Sequence, residues 1–160
     1  MNLPDPAHHA NGDTANSTVN KVLVDRYHME IFAQGKLEVA DEILSRDFTS
    51  HQAGFPPDWN TGPEGVKQAA TAMRRAFPNI TFNHDMVFAR GGKVVIIWTM
   101  TGIHEGEFLG ISPTGRQIET TGTDIYWVSP TGPGGKIVEY WSNWDQWGTL
   151  RQLGAVPPAY

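Results

Sequence analysis

The sequence predicts an α+β domain in which three helices precede an antiparallel sheet and a short helix closes the chain. Apolar residues recur at spacings of three and four as far as Phe77. Beyond Pro78 the period falls to two, with long runs of β-branched and aromatic residues. Those runs are separated by clusters of Gly and Pro, which mark turns. A chain of 160 residues is one domain's worth, enough to enclose a core and one ligand-sized pocket.

Residues 1–16 are polar and rich in Pro, Asn and Gly and read as a mobile tail, leaving 17–156 as the single domain. His8 and His9 in that tail read as a solvated pair. From Thr18, Val19, Val22, Leu23, Tyr27, Ile31 and Phe32 form one apolar stripe that stops before Gly35. A shorter helix is expected from Lys36 to Ser45 through Leu37, Val39, Ile43 and Leu44. Thr61-Gly62-Pro63-Glu64 has the form of a capping box with Pro in the first turn, so a third helix starts there and ends at Pro78.

Four strands are expected at Ile80–Arg90, Val94–His104, Gln117–Val128 and Ile137–Trp144. Gly91-Gly92, the Gly110–Gly115 segment and Pro130–Gly135 supply the turns of an antiparallel meander. The last helix, Gln146–Leu153, is capped by Asp145 and terminated by Gly154, with Pro157 and Pro158 beyond. Val94-Val95-Ile96-Ile97-Trp98 and Ile125-Tyr126-Trp127-Val128 are apolar on both faces, so both faces of the sheet need cover. Helices and a pocket cover one. A second subunit covers the other, which makes a homodimer the expected assembly, with a tetramer as the larger alternative.

Hydrophobic residues make up 39% of the chain and charged residues 18%, a globular composition. Twelve Lys and Arg against seventeen Asp and Glu give a net charge of −5 with no basic stripe, which speaks against nucleic acid and anionic membranes as partners. With no cysteine there is no disulfide framework and no thiolate nucleophile. No apolar run reaches eighteen residues and the N-terminus lacks a secretory centre, so a cytoplasmic protein is expected. Asn16-Ser17-Thr18 and Asn79-Ile80-Thr81 match the glycosylation pattern but carry little weight in that compartment.

Phosphate loops, dinucleotide fingerprints, paired metal-binding histidines and serine elbows have no match, and the histidines beyond the tail lack ligand spacing. No metal site and no cofactor are expected. The chemistry then falls to isolated polar residues facing an apolar cavity, where burial moves pKa values toward neutrality. Asp124, mid-strand in Thr121-Gly122-Thr123-Asp124-Ile125-Tyr126-Trp127, is the strongest candidate, with a paired structural acid as its alternative. By period two Tyr126 shares its face, while Tyr140, Ser142 and Trp144 share another. His51 is placed at the cavity lip or, equally, as a half-exposed side chain. His104 ends a strand, contacting substrate or merely ordering the next loop. Asp145 is more a cap than a catalyst, Trp98 and Trp144 supply aromatic wall, and His28 and His84 read as ordinary helix and strand positions.

The run His104-Glu105-Gly106-Glu107-Phe108-Leu109-Gly110-Ile111-Ser112-Pro113-Thr114-Gly115-Arg116 resembles the H-x-G-E-F-x-G-x-P-P-T-G-R segment of the SnoaL-like polyketide cyclases. Gly148-Thr149-Leu150-Arg151-Gln152-Leu153-Gly154 is similar to their closing helix, as are Thr61-Gly62-Pro63 and Phe77-Pro78-Asn79 around the third helix. The likeness runs from Val19 to Gly154. It implies the nuclear-transport-factor-two-like fold, a cone-shaped barrel of curved sheet around helices with a deep pocket, and association through the sheet. It also implies cofactor-independent ring closure of a hydrophobic polyketide-type carbonyl compound by an intramolecular aldol reaction, run by a His and an Asp at the pocket floor.

Carried over on the closing helix, the family's catalytic Asp falls on Ser142 and its partner His on Asp124, while Asp145 matches the Asp that caps the helix. A carboxylate thus stands where the imidazole is usual. The resulting expectation is a base at Asp124, with His51, Tyr140 and Ser142 as its catalytic companions and His104, Tyr126, Trp98, Trp144 and Asp145 around the substrate. Epoxide opening by water or an internal hydroxyl, and non-catalytic binding of an apolar ligand, are the alternatives on the same fold.

Overall fold

A computed structural model of the chain describes residues 13–52, 54–129 and 135–156, with the side chains of 13–16 left aside. Residues 1–12 of the tail expected at 1–16, and most of the turn expected at Pro130–Gly135, lie outside the described residues; residues 13–16 belong to a helix. Helix α1 spans Asp13–Arg26, starting ahead of the expected Thr18. It runs directly into a wider π-helical segment, Tyr27–Ala33. A short α2, Val39–Ile43, is followed by strand β1, Leu44–Ser50. A 3₁₀ turn at Pro57–Asn60 leads into α3, Gly62–Ala76. Then come β2, Thr81–Arg90, β3, Lys93–Ile103, β4, Gln117–Ser129, β5, Lys136–Trp144, and α4, Gln146–Leu153.

The sheet order is β1-β5-β4-β3-β2, so the four long strands form the expected antiparallel meander. The sheet curves without closing, and β1 and β2 are its edges. Strand β1 pairs parallel to β5 with an irregular register, which corrects the reading that ran the second helix on to Ser45. Leu44-Ser45-Arg46-Asp47-Phe48 has neither a β-branched run nor an alternating pattern, so only pairing with a distant strand makes it extended.

Thr61 does precede α3 in an extended conformation, but its side chain makes no capping bond. The capping box is not formed, because Glu64 extends into solvent near Lys67, which pairs with Asp41 at 2.8 Å. Asp145, by contrast, caps α4 through Gly148 N–H at 2.8 Å, and Gly154 ends it at φ 78°, in the left-handed region.

The core fills the concave side of the sheet. Val24, Tyr27, Ile31, Val66, Ala70 and Phe77 from the helices meet Phe48, Ile96, Tyr126 and Ile137. The convex side is different: Met86, Phe88, Ile97 and Ile125 stand exposed there. Among the described residues no helix is long and apolar enough to cross a membrane.

Candidate active site

Strand register lays out the concave face as a lattice. Val94, Tyr126 and Tyr140 form one cross-strand row, Ile96, Asp124 and Ser142 the next, and Trp98, Gly122 and Trp144 the third. Gly122 is required by that third row, since a Cβ there would lie 2.2 Å from Cζ2 of Trp98. The two faces singled out from periodicity therefore do meet, and they place a carboxylate, two phenols and a hydroxyl side by side.

Asp124 is fully buried and its Oδ2 is the centre of the cluster. The hydroxyls of Tyr126 and Tyr140 each donate to it at 3.1 Å. Nε2 of His28 is 3.0 Å from the same oxygen and 3.3 Å from the Tyr126 hydroxyl. Three partners on Oδ2 offset part of the loss of water around the carboxylate, whose Oδ1 is buried with no hydrogen-bond partner. Burial first, and the Asp124 charge second, hold Tyr27, Tyr126 and Tyr140 well above the ordinary phenol range, so these hydroxyls stay protonated.

His28 reaches this point because the helix changes pitch there. Tyr27 and His28 open the π-helical segment, and both are buried together with Ile31 and Phe32. Such widened turns recur at functional sites. Arg74 of α3 pins the end of the segment by donating to the carbonyls of Phe32 and Ala33. The His28 ring stacks on Phe82 at 4.5 Å, and its Nδ1 meets Nε2 of His84 at 2.9 Å. His84 in turn sits 3.1 Å from Asp25 through Nδ1. Sequence reading missed both histidines, because neither the helical stripe nor the strand alternation distinguishes them from packing residues. The aromatic pairing Tyr27-His28 beside an Arg-rich third helix carries no local signal of a pitch change.

An apolar cavity adjoins the cluster, lined by His28, Phe82, Trp98, Tyr140, Ser142 and Trp144 among others. Its void, which opens to solvent, is about 50 Å³, smaller than the ~150 Å³ apolar cavity that takes up benzene in another protein. A ring-sized ligand therefore requires wall side chains to move, and the half-buried Phe55 and Met73 are placed to do so. Ser142 Oγ lies buried beside the Tyr140 hydroxyl without a well-formed hydrogen bond, and Trp98 Nε1 has no partner.

Several expected positions move. Asp124 and Tyr126 do not line the cavity; they stand behind Tyr140, Ser142 and His28. His51 is outside it altogether. Its ring stacks on Trp141 at 4.5 Å on the convex face and its Nε2 is 3.8 Å from Glu139, since strand alternation turns residues next to β5 outward there. Asp145 lies outside the cavity too, being committed to the α4 cap.

His104 also stays out. Its Nδ1 accepts from Thr114 N–H at 3.2 Å, and its ring packs on Phe77 and Phe108. The neighbouring Glu105 and Gly106 N–H groups cap α3 through the Ala76 carbonyl, and a Cβ at Gly106 would meet Arg75 O at 2.1 Å. The most distinctive motif in the sequence is therefore a clasp between loop and helix, from which only Phe108 reaches the cavity. Among the described residues no group of three or more His, Asp or Glu side chains is placed to hold a metal ion.

The profile of the SnoaL-like polyketide cyclases matches residues 22–153. None of the curated proteins compared matches the chain. Among solved structures, a SnoaL-like polyketide cyclase candidate from Jannaschia sp. CCS1 superposes with a TM-score of 0.79 at 20% identity, covering 93% of this chain and 100% of that one. A polyketide cyclase candidate from Acidithiobacillus ferrooxidans gives 0.74 at 27% identity, over 88% and 98% of the two chains. AclR from Streptomyces galilaeus, a hydroxylase candidate, gives 0.74 at 20% identity over 90% and 86%.

Proposed function

The chain belongs to the SnoaL-like polyketide cyclase family, and on that premise we propose that it closes a ring in a hydrophobic carbonyl compound by an intramolecular aldol reaction run by its own side chains. The observation that carries this reading is Tyr140, a residue of the cavity lining whose hydroxyl donates to the buried Oδ2 of Asp124. A base behind a phenol receives a proton through that phenol. As the acidic C–H of the substrate gives its proton to the Tyr140 oxygen, the Tyr140 proton passes to Asp124. The freed electron pair forms the new C–C bond at the acceptor carbonyl. The resulting alkoxide then takes a proton from Tyr140 while Asp124 returns its own, so no proton is gained or lost overall.

Trp98 Nε1 and Ser142 Oγ are buried without hydrogen-bond partners on two residues that line the cavity, and they suit the oxygens on which negative charge develops. His28 has both ring nitrogens engaged, so it acts on Asp124 and not on substrate.

The test is turnover of aromatic polyketide methyl esters, with epoxides assayed in parallel, by the wild type and by Asp124→Asn. A base of this kind contributes about 10²–10⁴-fold, and a loss of that order with ring-closed product from the wild type is the expected result. Full turnover by Asp124→Asn would overturn the mechanism, and turnover of the epoxides alone would replace the reaction.

A further inference from the structure

We propose that Asp25, His84, His28 and Asp124 form a proton conduit that connects solvent on the helix side of the sheet to the carboxylate behind Tyr140. It rests on the acid-base reading above for its use, though not for its existence. The four side chains come from α1, β2, the π-helical segment and β4, and the contacts between them are 3.1, 2.9 and 3.0 Å. Side-chain exposure falls along the same line, from 53% at Asp25 through 8% at His84 and 4% at His28 to 0% at Asp124. A register shift in β2 immediately after His84 breaks the ladder at the point where this side chain must face inward.

Counting protons shows why the chain conducts. Three contacts separate four groups, and each contact needs one proton between two acceptors. With both carboxylates ionised, three protons sit on the four ring nitrogens, and the histidine pair holds a single positive charge between two negative ones. When His28 passes its Nε2 proton to Asp124, His84 passes its Nε2 proton to His28 Nδ1. Every contact is still bridged, the pair is now neutral, and Asp124 is protonated. The transfer moves two protons by one contact each, carrying one positive charge to Asp124 and no electrons, and its reverse unloads the hub. Nδ1 of His84 keeps its proton in both states, so a proton from solvent resets the pair at the bare Nε2 of His84 when that ring, at the solvent end of the chain, swings away from His28.

The charged and titratable groups facing the two histidines are Asp25 from α1, Asp124 and Tyr126 from β4, and each other; Tyr140 of β5 and Tyr27 face Asp124. Burial and the charge on His28 push His84 down, while Asp25 and Asp124 hold it up, in keeping with one shared charge and not two. Asp25 and His84 touch no substrate in this arrangement and are positioning residues for the hub.

The test reads the histidines directly. Long-range ¹⁵N–¹H NMR spectra of the His28 and His84 rings, followed through pH in the full chain, are compared with those of Asp25→Asn. Asp25 is half exposed, so this variant leaves the core intact. Removing its charge destabilises the shared proton, and the expected result is a change in the ring ¹⁵N shifts of both histidines at a given pH, a lower titration for His84, which Asp25 holds up, and an acid limb of kcat that moves the same way. His84→Phe is expected to uncouple His28 from Asp25 entirely.

His28 resonances that ignore Asp25→Asn would overturn the conduit. If both rings shift but no carbonyl substrate turns over, the conduit stands and the cyclase reading falls. Cyclase turnover with an unmoved pH profile and unmoved His28 signals has the opposite meaning.

Discussion

Nε2 of His28 lies 3.0 Å from Oδ2 of Asp124, although one residue belongs to the π-helical segment after α1 and the other to the fourth strand. That contact joins the helical layer to the sheet at the only buried carboxylate among the described residues.

Tyr126 and Tyr140 make equal 3.1 Å bonds to Asp124, but only Tyr140 lines the cavity. Tyr126→Phe and Tyr140→Phe should therefore lower stability similarly, by about 1.5–3 kcal/mol each for a hydrogen bond to a charged group. Turnover should separate them, with kcat falling at least tenfold more in Tyr140→Phe. Denaturant melts alongside kcat measurements check this, and equal kcat losses would remove Tyr140 from the proton path.

Gly122 leaves room for Trp98, and a Cβ at 122 would sit within 2.2 Å of that ring. Gly122→Ala should cost about 1–3 kcal/mol by overpacking and push the indole toward the cavity. A Tm loss together with altered tryptophan fluorescence and weaker substrate binding is expected; a variant with wild-type Tm and binding would contradict the close contact.

His104 is buried with its Nδ1 accepting from Thr114, and burial lowers its pKa below the ordinary value. The unfolded chain, with His near 6.5, then binds more protons than the folded one between the two pKa values. Stability from this group is present above about pH 6.5 and is lost as pH falls below it. Melting between pH 5 and 8 should show a smaller acid-side loss of Tm in His104→Gln than in the wild type. An identical slope would mean that other groups set it.

On the convex face Phe88, Val95, Ile125 and Trp141 stand in one cross-strand row, with Phe88 57% and Ile125 38% exposed. A patch of this kind on a sheet fits a self-association surface, and we propose that a second copy covers it. Sedimentation should give a dimer for the wild type and a monomer for Phe88→Asp with Ile125→Asp. A wild-type monomer at micromolar concentration would rule this out.

Much of the site was legible from period two alone. Alternation put Tyr126 on the face of Asp124 and Tyr140 on that of Ser142, and the hairpin between β4 and β5 brings the two faces into register. The position of Asp145 before a helix and of Gly154 after it likewise marked the last helix to its ends. The sequence left His51 between the cavity lip and a half-exposed position, and His104 between a substrate contact and ordering of the next loop; the structure takes the second in each case, because loop packing decides which way a residue at the end of a strand points.

The sequence by itself determined the order of the helices and of the four long strands, the meander, the family and the unusual carboxylate at position 124, because these follow from local periodicity, turn chemistry and motif. Only the tertiary structure decided that Asp124 stands behind Tyr140, that β1 joins the sheet in parallel, and that a widened helical turn sends His28 to meet His84 and Asp124. Each of those outcomes depends on contacts between segments far apart in the chain. Local preference says nothing about such contacts, and the packing of helix against sheet selects them.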